Sequence, residues 1–415
     1  MSVEPLKRDY RRDFDLGDPE LSARWNELIA DLHQGCPVAR SEVGEGYWVV
    51  NRYEDVTRCA KDWATFSAAD GFMVNRPEGL PYFTPGECDP PLHDHLRAVL
   101  EPFLRPKIVA GLEQTIRNHA NRLIDGFIGE GTVEVVSAFA NPLPQIVFSV
   151  EVAGMDPADM PFLLEVFNLS GPMAERGTNF ARGMAKVEQY LRLRSTEASR
   201  GDIVDALLAF EHPGYTWMDK VGTLCQLTIG GIGTTGYAFS GGLHHLATQA
   251  HERARLVADH TRIPRAIDEF LRLFMGAPNM ARRVKAEVEV GGTRMLPGDR
   301  VLLSFGAASR DPTICERPHE VDLARPSVRH LAFGAGTHTC VGASLARLIL
   351  RVGYETFLTR LPDFQLADGF EPTYETGNTR YMVQLPLHFA AVPTLATRHN
   401  PRTANAQLTD SEFRD

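Results

Sequence analysis

Apolar residues recur at three- and four-residue intervals over much of the chain, the spacing that gives a helix one buried face. The repeat runs through Glu20–Leu32, Ile108–Ile128 and Asp159–Phe167. A longer one occupies Asp219 to about Ala247, with Thr216 ahead of it as a residue whose hydroxyl can cap a helix. Short alternating runs at Tyr47–Val50, Ala286–Val290 and Val301–Ser304 predict strands, because successive side chains of a strand face opposite ways. Gly291-Gly292 and Pro297-Gly298 bracket a hairpin. From 68 to 88 no period holds and breakers abound, and the aromatics Phe72, Tyr82 and Phe83 mark a binding loop. The pattern predicts a mainly α protein with a small β portion. Residues 1–18 read as an N-terminal arm, 19–396 as a single domain and 397–415 as a polar, disordered tail.

Composition narrows the function classes. Of 415 residues, 43% are apolar, and 43 Lys and Arg face 53 Asp and Glu, a formal charge of -10. An acidic balance argues against general nucleic-acid binding, which needs a basic face to displace counterions. The N-terminus is charged and has no apolar run, so neither a signal peptide nor a membrane anchor is expected there. The six cysteines are scattered without a C-x-x-C pair, which fits a reducing, cytoplasmic setting better than a disulfide framework or a zinc ribbon. Most read as small buried hydrophobes.

One does not. Phe333-Gly-Ala-Gly-Thr-His-Thr-Cys340-Val-Gly342 leads into a long amphipathic helix. Glycines at 334, 336 and 342 allow tight turns and close approach to a flat ligand. A sulfur at a helix start meets unpaired N–H groups and the helix dipole, which favour thiolate. Such a thiolate can ligate haem iron. Taken alone, a cysteine at a helix start is more often structural.

The pattern Phe333-x-x-Gly336-x-His338-x-Cys340-x-Gly342 resembles the haem-binding loop of the cytochrome P450 family, in its soluble bacterial form. Other landmarks follow in the family's order along nearly the whole chain. Glu269-Phe-Leu-Arg272 is similar to the family's Glu-x-x-Arg pair, with Pro264 and Gly276 as start and stop of its helix and Arg325 as a third partner in a structural ion pair. His93 and Arg97, Arg282 and His338 resemble the groups that hold the haem propionates, with Arg283 as a competitor to Arg282. Gly230-Gly-Ile-Gly233-Thr234-Thr235 matches the oxygen-binding signature, Thr234 being the hydroxyl that bonds the carbonyl of Gly230 and makes room for water near the iron. The family carries an acid just before this threonine. Here Gly233 stands instead, which puts the usual proton relay in doubt and leaves space for a water chain. Close approach of haem and substrate is expected to account for Gly230 to Thr235, and helix packing for Gly241-Gly242.

The resemblance implies a P450 fold, haem b with an axial cysteine thiolate from Cys340, and a cofactor site that includes Phe333, Gly334 and Gly342. It implies insertion of one oxygen atom from O2 into a medium-sized apolar substrate of terpenoid, aromatic or steroid type. Phe72, Met73, Ile229, Ile232, Met275, Asn279 and Asn378 are the expected pocket residues, with Phe167 and Met173 at its cover. With no flavin or iron–sulfur motif in the chain, electrons are expected from NAD(P)H through a reductase and a [2Fe-2S] ferredoxin. Arg97, Arg105, Lys107, Arg347 and Arg351 form a basic patch for that partner. The protein is expected to act as a monomer, apart from membranes and nucleic acid. A haem protein that only binds, as sensor or carrier, and a P450-fold enzyme of non-hydroxylating oxidative chemistry are the alternatives.

Overall fold

The computed structural model describes residues 7–76, 79–167, 173–375 and 377–392, with the side chains of 173–176 and Ile232 left aside. Helices dominate. The segment expected to be one helix from Glu20 is two, Pro19–Ala23 and Trp25–Gly35, because Arg24 leaves helical geometry at φ -108° and ψ 25°. The described part of the N-terminal arm is packed: Tyr10, Phe14 and Leu16 bury themselves against Leu28, Ile29 and Leu32 of the second helix. The run from Ile108 divides likewise into Pro106–Val109, a tight turn at Ala110–Leu112, and Glu113–Asp125. The expected tail from 397 lies outside the described residues.

Ten strands form two sheets and a hairpin among the described residues. β1 (Val38–Ser41), β2 (Tyr47–Val50), β3 (Phe66–Ser67), β5 (Asn279–Val284) and β8 (Arg300–Ser304) make a five-stranded sheet in the order β1-β2-β8-β5-β3. β2 and β8 run parallel with Val49 opposite Leu302, and the other pairs are antiparallel. β4 (Thr132–Glu134), β9 (Gln365–Leu366) and β10 (Pro386–His388) form a smaller sheet. β6 (Val288–Val290) and β7 (Thr293–Met295) are the expected hairpin. Gly291 and Gly292 turn it at φ of 54° and 78°, the left-handed pair that a two-residue hairpin loop needs.

Two helices organise the large core. Trp217–Thr248 opens with a reciprocal capping box: the Thr216 hydroxyl accepts from the Asp219 amide, and Asp219 accepts from the Thr216 amide. Ala343–Arg360, the helix behind the cysteine loop, packs against it. Phe239 stacks on Tyr354 with ring centroids 4.2 Å apart, and the Tyr354 hydroxyl donates to the carbonyls of Ala238 and Phe239. A Cβ at Gly242 would meet that hydroxyl at 2.0 Å, and one at Gly241 would meet Phe274 at 2.4 Å, so this glycine pair serves helix packing as expected. No described helix is long and apolar enough to cross a membrane.

Candidate active site

The cysteine loop is built by backbone constraints. Gly334 and Gly336 take φ of 70° and 71°, and the Cys340 amide returns to the Phe333 carbonyl at 2.8 Å. A side chain at Gly336 would also strike the Ala60 carbonyl at 2.6 Å, so glycine is required there twice over. Cys340 lies three residues ahead of helix Ala343–Arg360. Burial by the surrounding protein raises its thiol above the ordinary value, against smaller pulls downward from the Gly342 amide, Arg97 and Arg347.

The residues around the loop present a cluster of buried donors. His93, on helix Leu92–Leu100, lies with its ring 4.6 Å from that of His338, centroid to centroid. His93 Nε2 and both ring nitrogens of His338 are buried without a hydrogen-bond partner. Arg282 is 4% exposed, donates from Nη1 to the Ala281 carbonyl, and is pushed down to about 10 by desolvation. His338 is pushed down to about 2 by burial, then by Arg282, His93 and Arg97. Arg97 is shared between Glu101 and the Thr339 carbonyl. Asp89, which acts on Arg282, is already engaged by Ser67 and the Ala68 amide. So buried donors converge with too little negative charge to answer them. A dianionic cofactor edge satisfies that arrangement. Strand alternation decides between the neighbouring arginines: Arg283 turns outward to Asp70 at 2.8 Å and to the Gly298 carbonyl.

Beneath the loop, Glu269 and Arg272 are fully buried and joined by two hydrogen bonds of 2.8 Å. Glu269 also accepts from Arg325 at 3.2 Å and from the Asp322 amide, while Arg272 donates to the carbonyls of Ser309, Pro318 and Glu320. Their helix spans Ile263–Leu273, with Pro264 in its first turn.

On the long helix, Thr234 Oγ1 donates to the Gly230 carbonyl at 2.5 Å, as expected. A Cβ at Gly230 would meet open space. Gly233 differs from expectation. A Cβ there would lie 2.9 Å from Tyr381 Cζ, so an aromatic ring fills the room expected for a water chain.

The expected pocket residues divide. Phe72 stacks on Phe83 at 6.0 Å, Phe83 meets Phe180 edge-on at 5.6 Å, and Phe180 faces Phe167 at 6.4 Å, an aromatic row joining the long loop to two helices. Ile229 is partly exposed beside Gly230. Asn279 is 1% exposed with both amide atoms unpartnered. Met275 is instead buried in the core under the five-stranded sheet, a packing residue rather than a pocket wall. Asn378 spends its amide on the Phe72 carbonyl at 3.0 Å, so it braces the loop. The side chains of Ile232 and Met173 lie outside the described residues. Sequence reasoning missed Phe180, Arg300 and Tyr381. Arg300 Nη2 binds the carbonyls of Asp70, Gly71 and Met73, and only its place on a β8 run otherwise apolar could have drawn notice.

Comparisons agree with this geometry. The family model described as cytochrome P450 matches residues 181–379. The steroid C26-monooxygenase of Mycolicibacterium smegmatis is 30% identical over 344 residues, covering 80% of this chain and 84% of that protein. The linalool 8-monooxygenase of Pseudomonas putida is 28% identical over 385 residues, 85% of this chain and 93% of the other. The crystal structure of CYP108D1 from Novosphingobium aromaticivorans aligns with a TM-score of 0.77 at 26% identity, covering 91% and 97% of the two chains. Sequence kinship over most of both chains and a shared architecture converge on one conclusion: the chain belongs to the cytochrome P450 family and is a haem-thiolate monooxygenase.

Proposed function

We propose that this enzyme inserts one oxygen atom into a medium-sized, mainly hydrocarbon substrate of terpenoid, aromatic or steroid type, working in a reducing cytosol on electrons from NAD(P)H through a ferredoxin. The observation that carries the site assignment is a buried cluster near Cys340: His93 Nε2 and both ring nitrogens of His338 have no hydrogen-bond partner, although His93 Nδ1 pairs with Asp94, and buried Arg282 donates to a backbone carbonyl. When bound, the haem supplies the oxygen activation and the hard redox step. Cys340 would hold its iron. Arg97, His93, Arg282 and His338 would hold its carboxylates, Phe333, Gly334 and Gly342 would shape the loop around the sulfur, and Thr234 with Gly230 would offer a hydroxyl where oxygen is activated. Phe72, Met73 and Ile229 give the ligand an apolar wall, and the unpartnered amide of Asn279 offers one polar anchor. The carbon-monoxide difference spectrum of the reduced protein, then spectral titration with a terpenoid, aromatic and steroid panel and product analysis under labelled dioxygen, tests this reading. A reduced protein without a thiolate-type spectrum ends it.

Two further outcomes are expected. Arg282→Met and His338→Phe each leave the fold intact and weaken haem binding by roughly 2 kcal/mol, about thirtyfold, since each strands a buried carboxylate. Haem transfer to a scavenging globin measures this, and transfer from Arg282→Met no faster than from wild type counts against the clamp. The second concerns the electron donor. Arg97, Arg347 and Arg351 of the expected basic patch are paired with Glu101, Asp268 and Glu113, so less of its charge is available than the sequence implies. Arg105 and Lys107 remain exposed beside a cleft of about 300 Å³ lined by Pro106, Val109, Ile267 and Leu348. Replacing both with Glu slows ferredoxin-driven reduction several-fold at low salt, a gap that closes as salt rises. Equal rates at low salt would place the donor elsewhere.

A further inference from the structure

We propose that Tyr381 takes over the task of the acid missing at position 233, delivering a proton by way of Thr234 to dioxygen as it is reduced. The proposal rests on the monooxygenase reading of the site given above.

The argument is one of occupied space. A Cβ at 233 would lie 2.9 Å from Tyr381 Cζ, 3.0 Å from Cε1 and 3.1 Å from the hydroxyl oxygen. An aspartate would begin at that Cβ, so the phenol fills the volume its carboxyl would take. The same ring edge reaches Gly276, where a Cβ would lie 2.9 Å from Tyr381 Cε1, 2.5 Å from Thr234 Cα and 3.2 Å from the Gly233 carbonyl. Two glycines on separate segments thus seat one tyrosine beside Gly233, the residue that precedes the threonine. Tyr381 is 5% exposed, so bulk water does not compete for the place. A ring wanted only as filler would be cheaper as phenylalanine, because a buried hydroxyl has to be answered by a partner. Polar groups continue behind it. Tyr237 meets Tyr381 edge-on at 6.3 Å and accepts from Arg380 Nη1 at 2.5 Å. Arg380 Nη2 donates to the Ser22 carbonyl, and the Ser22 hydroxyl donates to that of Glu375.

The step balances without a further reagent. The phenol O–H bond breaks, its proton passes to the Thr234 hydroxyl as that hydroxyl releases its own to oxygen, and the phenolate regains a proton from solvent. Electrons come from the redox partner, as in the parent reaction. Tyr381 acts through Thr234 and is a positioning residue.

Hydrogen-peroxide-driven oxidation of guaiacol by the holoenzyme tests this without the native substrate or donor. Tyr381→Phe keeps the carbon-monoxide spectrum, lowers kcat about tenfold or more, leaves KM for peroxide unchanged, and alters the solvent deuterium effect. Thr234→Ala lowers kcat similarly, and the two together lose little more. Gly233→Asp regains rate only in a Tyr381→Ala background, where the carboxyl has room. A readout independent of turnover accompanies these: Gly233→Ala lowers the melting temperature of wild type but not of Tyr381→Ala. A Tyr381→Phe enzyme with wild-type kcat and isotope effect overturns the proposal while leaving the haem site standing. Should that variant lose its haem, Gly233→Asp/Tyr381→Ala no faster than Tyr381→Ala overturns it instead. A wild-type protein without the thiolate spectrum would overturn the parent reading, a distinct result.

Discussion

Cys340→Ser is expected to give a folded protein whose reduced carbon-monoxide complex has lost the thiolate-type band and whose oxygen insertion has fallen beyond measurement. Changes to groups that merely orient a metal ligand cost about 10–100-fold, so loss of the ligand should exceed that range. Burial raises the Cys340 thiol, and a cation bound to the sulfur would lower it. A serine hydroxyl gives up its proton far less readily and is a harder ligand. Cys340→His separates retention from chemistry: an imidazole holds haem but lacks the electron push that favours O–O cleavage. Haem content near wild type with oxygen insertion lost is the expected pair. An unaltered spectrum in Cys340→Ser would remove the sulfur from the site.

The second large effect is on stability. Glu269→Ala is expected to destabilise the protein by about 3–5 kcal/mol. The carboxylate answers Arg272 twice and Arg325 once at full burial, so its removal leaves two guanidinium groups without a countercharge. Arg272 would keep its three carbonyl acceptors, which hold its position and not its charge. Arg347→Ala is the control. Its pair with Asp268 has side chains 46% and 37% exposed and should change stability by less than about 1 kcal/mol. Denaturant unfolding followed by haem absorbance compares the two, and equal midpoints would mean that the buried triad does not anchor the fold.

What the sequence made legible was local in origin. Thr216 and Asp219 stand three apart and form the capping box, Gly291-Gly292 turn the hairpin, and Glu269 with Arg272 share one helix face. What it hid depended on partners far along the chain. Gly233 read as empty space because nothing near it in sequence says that Tyr381 arrives from the last strand region. Arg283 competed with Arg282 on sequence alone, and the pairing of β5 with β8 turns Arg282 inward and Arg283 toward Asp70. Met275 follows a helix directly and was expected in the pocket, yet the sheet packed across it claims it for the core. The break at Arg24 escaped notice because the apolar rhythm runs on through it.

Arg300 holds the carbonyls of Asp70, Gly71 and Met73 with a single nitrogen, and Ala281 and Asn378 hold that of Phe72. These clasps act on main-chain atoms, so they are indifferent to the side chains carried at 72 and 73. Those two positions can be varied by an engineer, or by drift, to reshape ligand preference while the ribbon that carries them stays moored.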